Sequence, residues 1–471
     1  MHIKKGQEIT VAITDAAYEG KGLGRIGEQV VFIKNTAPGD VVEARVIKRK
    51  KNFLEGKLLR VVQAGTVRID PVCSHAGICG GCTWQHVTYN EQLRFKHQHV
   101  KDHMHRIGGF TDVDVLPALR SDEQLYYRNK MEYTFGDRRW LTDEEINSGD
   151  PIPDKDIAAG MHIPGRFDRI LNLDECHLQI PVSWRIMNFV RDYAIRMNIP
   201  PYNAVKHEGF FRNVMIRNAV HSGDLLVNIV TYEDDPDIMT DLTAALLAVF
   251  PEITTVVNNV NDTWSPASEG RYENMLHGPG YITESIGGYR FKISSNTFFQ
   301  TNTRQAEKLY QKALDFADLK GNELVYDLYC GVGSLTLFVS GKCKQVVGIE
   351  INPESIRKAR ENAAENEVTN CRFETGDMKD AFTTEHIEKY GRPDVIITDP
   401  PRAGMHPDVI ATLLETGAKT IVYVSCNSAT QARDLALLNQ KYRVDAVQPV
   451  DMFPQTYHIE SVAKLTLNKS G

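Results

Sequence analysis

Four groups of residues in this chain have the type and spacing to do chemistry. Cys426 ends the run 420–426, Thr-Ile-Val-Tyr-Val-Ser-Cys, which reads as a strand covered on both faces. At the carboxyl edge of an open α/β sheet, where ligands bind, a thiol is well placed to react; elsewhere it is packing. Asp399-Pro400-Pro401-Arg402 closes a second apolar run, 394–398. Gly331-Val332-Gly333-Ser334 follows the strand-like stretch 324–329, and Glu350 ends the stretch 345–349, nineteen positions after Gly331. A glycine turn between strand and helix lets a cofactor approach the backbone, and an acid about 20 residues on suits a ribose hydroxyl. The fourth group is Cys73, Cys79 and Cys82, spaced C-x5-C-G-G-C. Three such thiolates can grip one soft metal centre, with Cys176, in the polar stretch 173–177, as the fourth ligand. Four thiolates suit zinc and iron–sulfur alike.

The elements that must position these residues fall into three regions. In the last third, a helix over 303–316 leads into strands alternating with helices, at 324–329, 345–349, 394–398 and 420–425, the pattern of a doubly wound sheet. The middle reads as α+β. It has a polar, basic helix over 92–105, a strand over 131–135, a hairpin of 211–217 and 225–230 turned by Ser222-Gly223-Asp224, and a strand near 254–257. Tyr126 and Tyr127 beside Arg128 and Lys130 suit base stacking with phosphate contact, or else an amphipathic edge strand. The start reads as a small β-barrel, with period-two alternation over 9–13, a glycine-rich turn region, and strands at 30–33 and 41–46. The expected divisions are 1–62, 63–290 and 291–471.

Composition bounds what this architecture can do. The 471 residues, 42% of them hydrophobic, can fill several cores. No apolar run approaches the ~18 residues of a membrane span, and Met1-His2-Ile3-Lys4-Lys5 is no signal peptide, so a cytoplasmic protein is expected. Eight cysteines in so long a chain point to metal binding or catalysis and not to a disulfide scaffold. The net charge of −7 argues against wholesale coating of nucleic acid. Residues 1–60 nevertheless carry twelve basic and seven acidic side chains, including the run Lys48-Arg49-Lys50-Lys51. That +5 end suggests one electropositive face.

The motifs also carry a resemblance. The turn lacks the third glycine of the nicotinamide fingerprint, whereas Asp327-Leu328-Tyr329-Cys330-Gly331-Val332-Gly333 resembles motif I of S-adenosylmethionine-dependent methyltransferases with a Rossmann-like fold. Asp-Pro-Pro resembles the mark of base amino-group methylation, except that Arg402 replaces the aromatic residue. The barrel is similar to a TRAM domain, an OB-like RNA-binding module. From end to end, through His458-Ile459-Glu460, the chain resembles the RNA uracil-C5 methyltransferase family, in particular its ribosomal-RNA branch. That resemblance implies Cys426 as nucleophile toward uracil C6, Glu460 as the base that takes the C5 proton, and Asp399 as an orienting acid. It implies S-adenosylmethionine contacts at Gln300, Tyr329, Glu350, Asp377 and Asp399 beside the turn glycines Gly331 and Gly333. Tyr329 stands where the family commonly has Phe, and Ser334 where Asn is frequent. The resemblance further implies a [4Fe–4S] cluster on Cys73, Cys79, Cys82 and Cys176, and 23S rRNA as the substrate. Arg402 is a candidate phosphate contact. No membrane and no obligatory protein partner are expected, so the protein reads as a monomer. Three other readings remain: the same C5 methylation on tRNA, whose enzymes in the family typically lack both the barrel and the cluster, methylation of a base amino group, and an RNA-binding protein without catalysis.

Overall fold

The computed structural model describes residues 3–152, 154–265 and 268–468. Five strands, Glu8–Ala16, Gly22–Ile26, Gln29–Ile33, Val41–Arg49 and Phe53–Gln63, close into a barrel with the last two exchanged in order. The alternation expected over 9–13 is what fills it. Ile9, Val11 and Ile13 point inward with Val31, Ile33, Val42 and Leu54, and the residues between them face water.

A seven-stranded sheet forms the middle of the chain. In spatial order its strands are Tyr272–His277, Thr255–Val260, Leu225–Thr231, Phe211–Asn218, Lys130–Gly136, Ala158–His162 and Ile170–Asn172. The expected hairpin is there, with Val214 opposite Ile229. Its strands are buried along their whole length because the two faces enter different cores. Val214 and Ile216 pack with helices Pro181–Arg196 and Pro236–Val249, whereas Met215 and Leu226 pack into the core of the next domain. Lys130–Gly136 is an interior strand, which removes the edge-strand reading.

The last domain is doubly wound. Strands Cys371–Thr375, Gln345–Glu350, Leu324–Leu328, Val395–Thr398 and Thr420–Ser425 run parallel in that spatial order. Glu460–Leu467 is inserted antiparallel between Thr420–Ser425 and Tyr442–Val450. The two-residue strand Asp114–Val115 pairs with Tyr442–Val450, and helix Tyr89–Arg106 packs Val100 and Met104 into the same core as helix Ser428–Leu438. Among the described residues no helix is long and apolar enough to cross a membrane.

The strap 451–459, which joins the last two strands, is pinned by helix Tyr89–Arg106. Lys96 and Asp451, both fully buried, pair through Lys96 Nζ and Asp451 Oδ1 at 2.5 Å. Tyr89 Oη donates to the second carboxylate oxygen at 2.9 Å, and Lys96 also donates to the Phe453 carbonyl at 3.0 Å. Gln92 and Gln455 exchange two hydrogen bonds of 3.0 Å, and the Thr83 and Trp84 amides donate to the Gln455 carbonyl at 2.8 and 3.0 Å. Removing one member of a buried pair strands the other charge, at about 3–5 kcal/mol. Lys96→Met is expected to lose about that much stability in urea unfolding, and Lys96→Met/Asp451→Asn to recover most of it.

Candidate active site

Between Leu324–Leu328 and Val395–Thr398 the chain reverses the direction in which it adds strands, and ligands of such sheets bind beyond the strand ends at that point. A cavity of about 1180 Å³ opens there. Sites for one small molecule run to roughly 300–1,000 Å³, so this one has room for a cofactor and a base together.

The expected cofactor residues converge on it. Tyr329, Gly331, Glu350, Asp377, Asp399 and Gln300 all line the cavity. The Glu350 carboxylate is fixed by the Gly331 amide at 3.2 Å and the Asn352 amide at 2.9 Å, one on each oxygen. Asp377 meets both readings of a turn acid, since it lines the cavity and also accepts the Lys379 amide at the start of a helical turn. The Gln300 carbonyl accepts from Asn129 Nδ2 at 2.8 Å, which stitches this wall to the segment holding Arg128. Gly333 does not reach the cavity. Its φ of +80° starts helix Ser334–Ser340, and a Cβ there would come within 3.2 Å of Ala359 and Phe373. Ser334 does line the cavity, with its hydroxyl 2.8 Å from that of Tyr310.

The reacting end is set by strand register. The ladder ends with Ser425 paired to Ser461, and the residues just beyond that pair, Cys426 and Glu460, both line the cavity close enough for the acid to act on the thiol. Glu460 is only 5% exposed and sits on an interior strand, which overturns the reading of a surface acid on an edge. Burial and the charge of Asp399 push its carboxyl well above the usual range; burial and Asp327 do the same to Asp399. Asp327, 1% exposed and accepting from the Thr336 hydroxyl, is pushed up to about 7. Three acids crowded out of water therefore keep protons toward neutral pH.

The Cys426 thiol is pushed up to about 11 by burial, then by Glu460 and Asp399, while the nearby Arg402 cation draws it back down. Arg402 thus lines the cavity close enough to Cys426 to influence its thiol. Its carbonyl accepts from Asn427 Nδ2 at 3.1 Å and Thr430 Oγ1 at 3.2 Å, which ties the 399–404 loop to the start of helix Ser428–Leu438. His458 also lines the cavity, and burial with the cations Arg402, Lys96 and Arg128 lowers it to about 4. A ring that stays neutral and so weakly basic leaves Glu460 as the better proton acceptor. Asp327 and His458 had local signals, in motif I and in His-Ile-Glu, but only the packing shows them at the site.

Cys73, Cys79, Cys82 and Cys176 line one small pocket whose wall, through Gly81 and Met161, is shared with the large cavity. Gln85 bridges the loop, accepting the Cys73 amide at 3.1 Å and donating to Cys82 Sγ at 3.3 Å; the Gly81 amide donates to Cys79 Sγ at 3.3 Å. Those donors favour thiolates, but burial outweighs them and pushes Cys79 up to about 11 and Cys82 up to about 12. Around a single zinc, sulfurs at about 2.3 Å stand ~3.8 Å apart. Among the described residues no group of three or more His, Cys, Asp or Glu is placed to hold one metal ion.

The candidate RNA contacts divide. Arg128 lines the cavity. Lys130 lies across the sheet from Arg217 and outside it. Lys48 and Arg49 end a barrel strand and Lys50 and Lys51 follow in the exposed turn; none reaches the cavity, and Lys48 pairs with Glu55 at 2.9 Å.

A TRAM-type barrel joined to a doubly wound domain with this crevice defines an S-adenosylmethionine-dependent RNA methyltransferase. The TRAM domain family matches residues 3–59, and the tRNA (uracil-5-)-methyltransferase family matches residues 281–468. Proteins named uncharacterized RNA methyltransferases are 44% identical in both Porphyromonas gingivalis and Bacteroides thetaiotaomicron. The first alignment covers 97% of this chain and 99% of the relative, the second 96% and 100%. Among solved structures, the Pyrococcus abyssi tRNA (uracil-54, C5)-methyltransferase in complex with S-adenosyl-L-homocysteine is similar, with a TM-score of 0.75 and 27% identity. That alignment covers 97% of this chain and all of the other. The chain belongs to the RNA uracil-5 methyltransferase family.

The opposed influences on Cys426 can be separated. Arg402→Met is expected to slow iodoacetamide labelling of Cys426 at pH 8 by about tenfold, because one pKa unit changes the thiolate fraction tenfold. Glu460→Gln, which removes a negative charge, is expected to speed it. Peptide mass spectrometry reads both.

Proposed function

We propose that this protein methylates C5 of a uridine in structured RNA through a covalent adduct of Cys426. The observation that carries this reading is one cavity lined by Cys426, the buried acid Glu460 and Arg402, with the acid and the cation acting on the thiol in opposite senses. The target base, extruded from its stack, enters the cavity. Cys426 bonds to C6 and the ring becomes an enolate whose charge reaches C5. S-adenosylmethionine supplies the electrophilic methyl group that C5 accepts. Glu460 then takes the C5 proton, the C5–C6 double bond re-forms and the thiolate leaves. The raised carboxyl of Glu460 matches a weakly acidic carbon better than an ordinary one does. Asp399 orients the base edge. Because the thiolate fraction and the ionised fraction of Glu460 both grow with pH, kcat/KM is expected to rise from pH 6 to 9.

Residues 1–62 hold RNA, 63–290 carry the cysteine loop, and 291–471 the chemistry, in one monomeric cytoplasmic chain. Cys73, Cys79, Cys82 and Cys176 hold a [4Fe–4S] cluster. Anaerobically isolated protein is expected to contain about four iron and four sulfide per chain, and Cys82→Ser to lose most of both. The preferred substrate is 23S rRNA. A tRNA substrate is the second reading, favoured by the Pyrococcus neighbour, whose alignment over 97% of this chain takes in the barrel. Barrel possession therefore does not separate the two.

RNA containing 5-fluorouridine tests the chemistry, because fluorine cannot leave as a proton would. The wild type is expected to be trapped as a protein–RNA adduct carrying labelled methyl, and Cys426→Ala to give none. Equal behaviour of the two would refute the mechanism, and label in 23S rRNA or tRNA decides the substrate.

A further inference from the structure

Resting on the proposed function, we propose that Tyr18, Tyr457 and His458 form a stacking platform for an unpaired base beside the target uridine. Tyr18 lies in the turn Tyr18–Gly20 between the first two barrel strands. Its ring meets Tyr457 edge-on at 5.8 Å, and Tyr457 lies over His458 at 4.2 Å with the planes 32° apart. His458 lines the cavity, so aromatic faces run from the barrel to the reacting groups. Arg402 and Cys426 are near enough to act on the Tyr18 phenol.

Docking of the barrel does not account for this ring. The turn is already held by Trp84 Nε1 on the Gly20 carbonyl at 3.3 Å, by His99 on the Ala16 carbonyl at 3.4 Å, and by the Arg94–Asp15 pair at 3.3 Å. Tyr18 also touches His99 and His103, yet it remains 45% exposed. Extruding a base bares the face of its neighbour, and a protein ring that covers that face offsets the lost stacking. The preferred substrate is then a loop with at least one further unpaired base next to the uridine. A hairpin offering the uridine alone is a poorer ligand.

The test is fluorescence anisotropy with a labelled hairpin whose loop holds one uridine among adenosines, and with versions abasic on either side of that uridine. An abasic site on one side is expected to weaken wild-type binding about tenfold, as loss of one stacked base does. Tyr18→Ala is expected to weaken binding to the intact loop by a similar factor and to add less than twofold on that abasic RNA. Tyr18→Phe should bind within twofold of wild type. Equal losses with Tyr18→Ala on intact and abasic loops, no loss on the intact loop, or wild-type indifference to both abasic sites would overturn the platform. Tyr457→Leu, held to the same criteria, decides if Tyr18→Ala no longer binds S-adenosylmethionine by calorimetry. Coupling without a 5-fluorouridine adduct would keep the platform and defeat the methylation mechanism; adduct without coupling would do the reverse.

Discussion

Three carboxyl groups and a thiol share one desolvated crevice with the Arg402 guanidinium, and the site works within that electrostatic limit. Asp327, Asp399 and Glu460 cannot all ionise cheaply at such spacing, so protons stay among them toward neutral pH. The same crowding makes the thiol reluctant to ionise, and the arginine is the counterweight.

Holding like charges together requires a stiff frame. The strap that carries His458 up to Glu460 takes its shape from a buried ion pair and reciprocal glutamine bonds, not from regular structure of its own. Gln455 adopts a φ of +68°, which a non-glycine residue holds only when its surroundings over-determine it. Thr83 and Trp84, whose amides clamp Gln455, directly follow Cys82. The cysteine loop and Glu460 are thus two ends of one short mechanical path.

Much of this was legible where the signal is local. The four strands ahead of the catalytic loops, the barrel alternation and the cysteine spacing each sit within a short window, and the structure places them as read. Glu460 was legible only by resemblance, because nothing around it in sequence announces burial; the interior position of its strand supplies that. The influence of Arg402 on Cys426 was not legible, since the two lie in loops after two different strands. Asp114–Val115 is too short to show a period, so its membership of the last sheet was invisible. Tyr18 lies some four hundred residues from Cys426, and nothing in the sequence links the two.

The inserted strand has a consequence for synthesis. A ribosome makes Thr420–Ser425 first, then Tyr442–Val450, and only then Glu460–Leu467, which must slot between them. Until it does, both earlier strands expose bare edges and the crevice has Cys426 without Glu460. The residues of the cofactor wall can therefore assemble before the wall that carries Glu460, and the crevice is complete only once that strand is inserted.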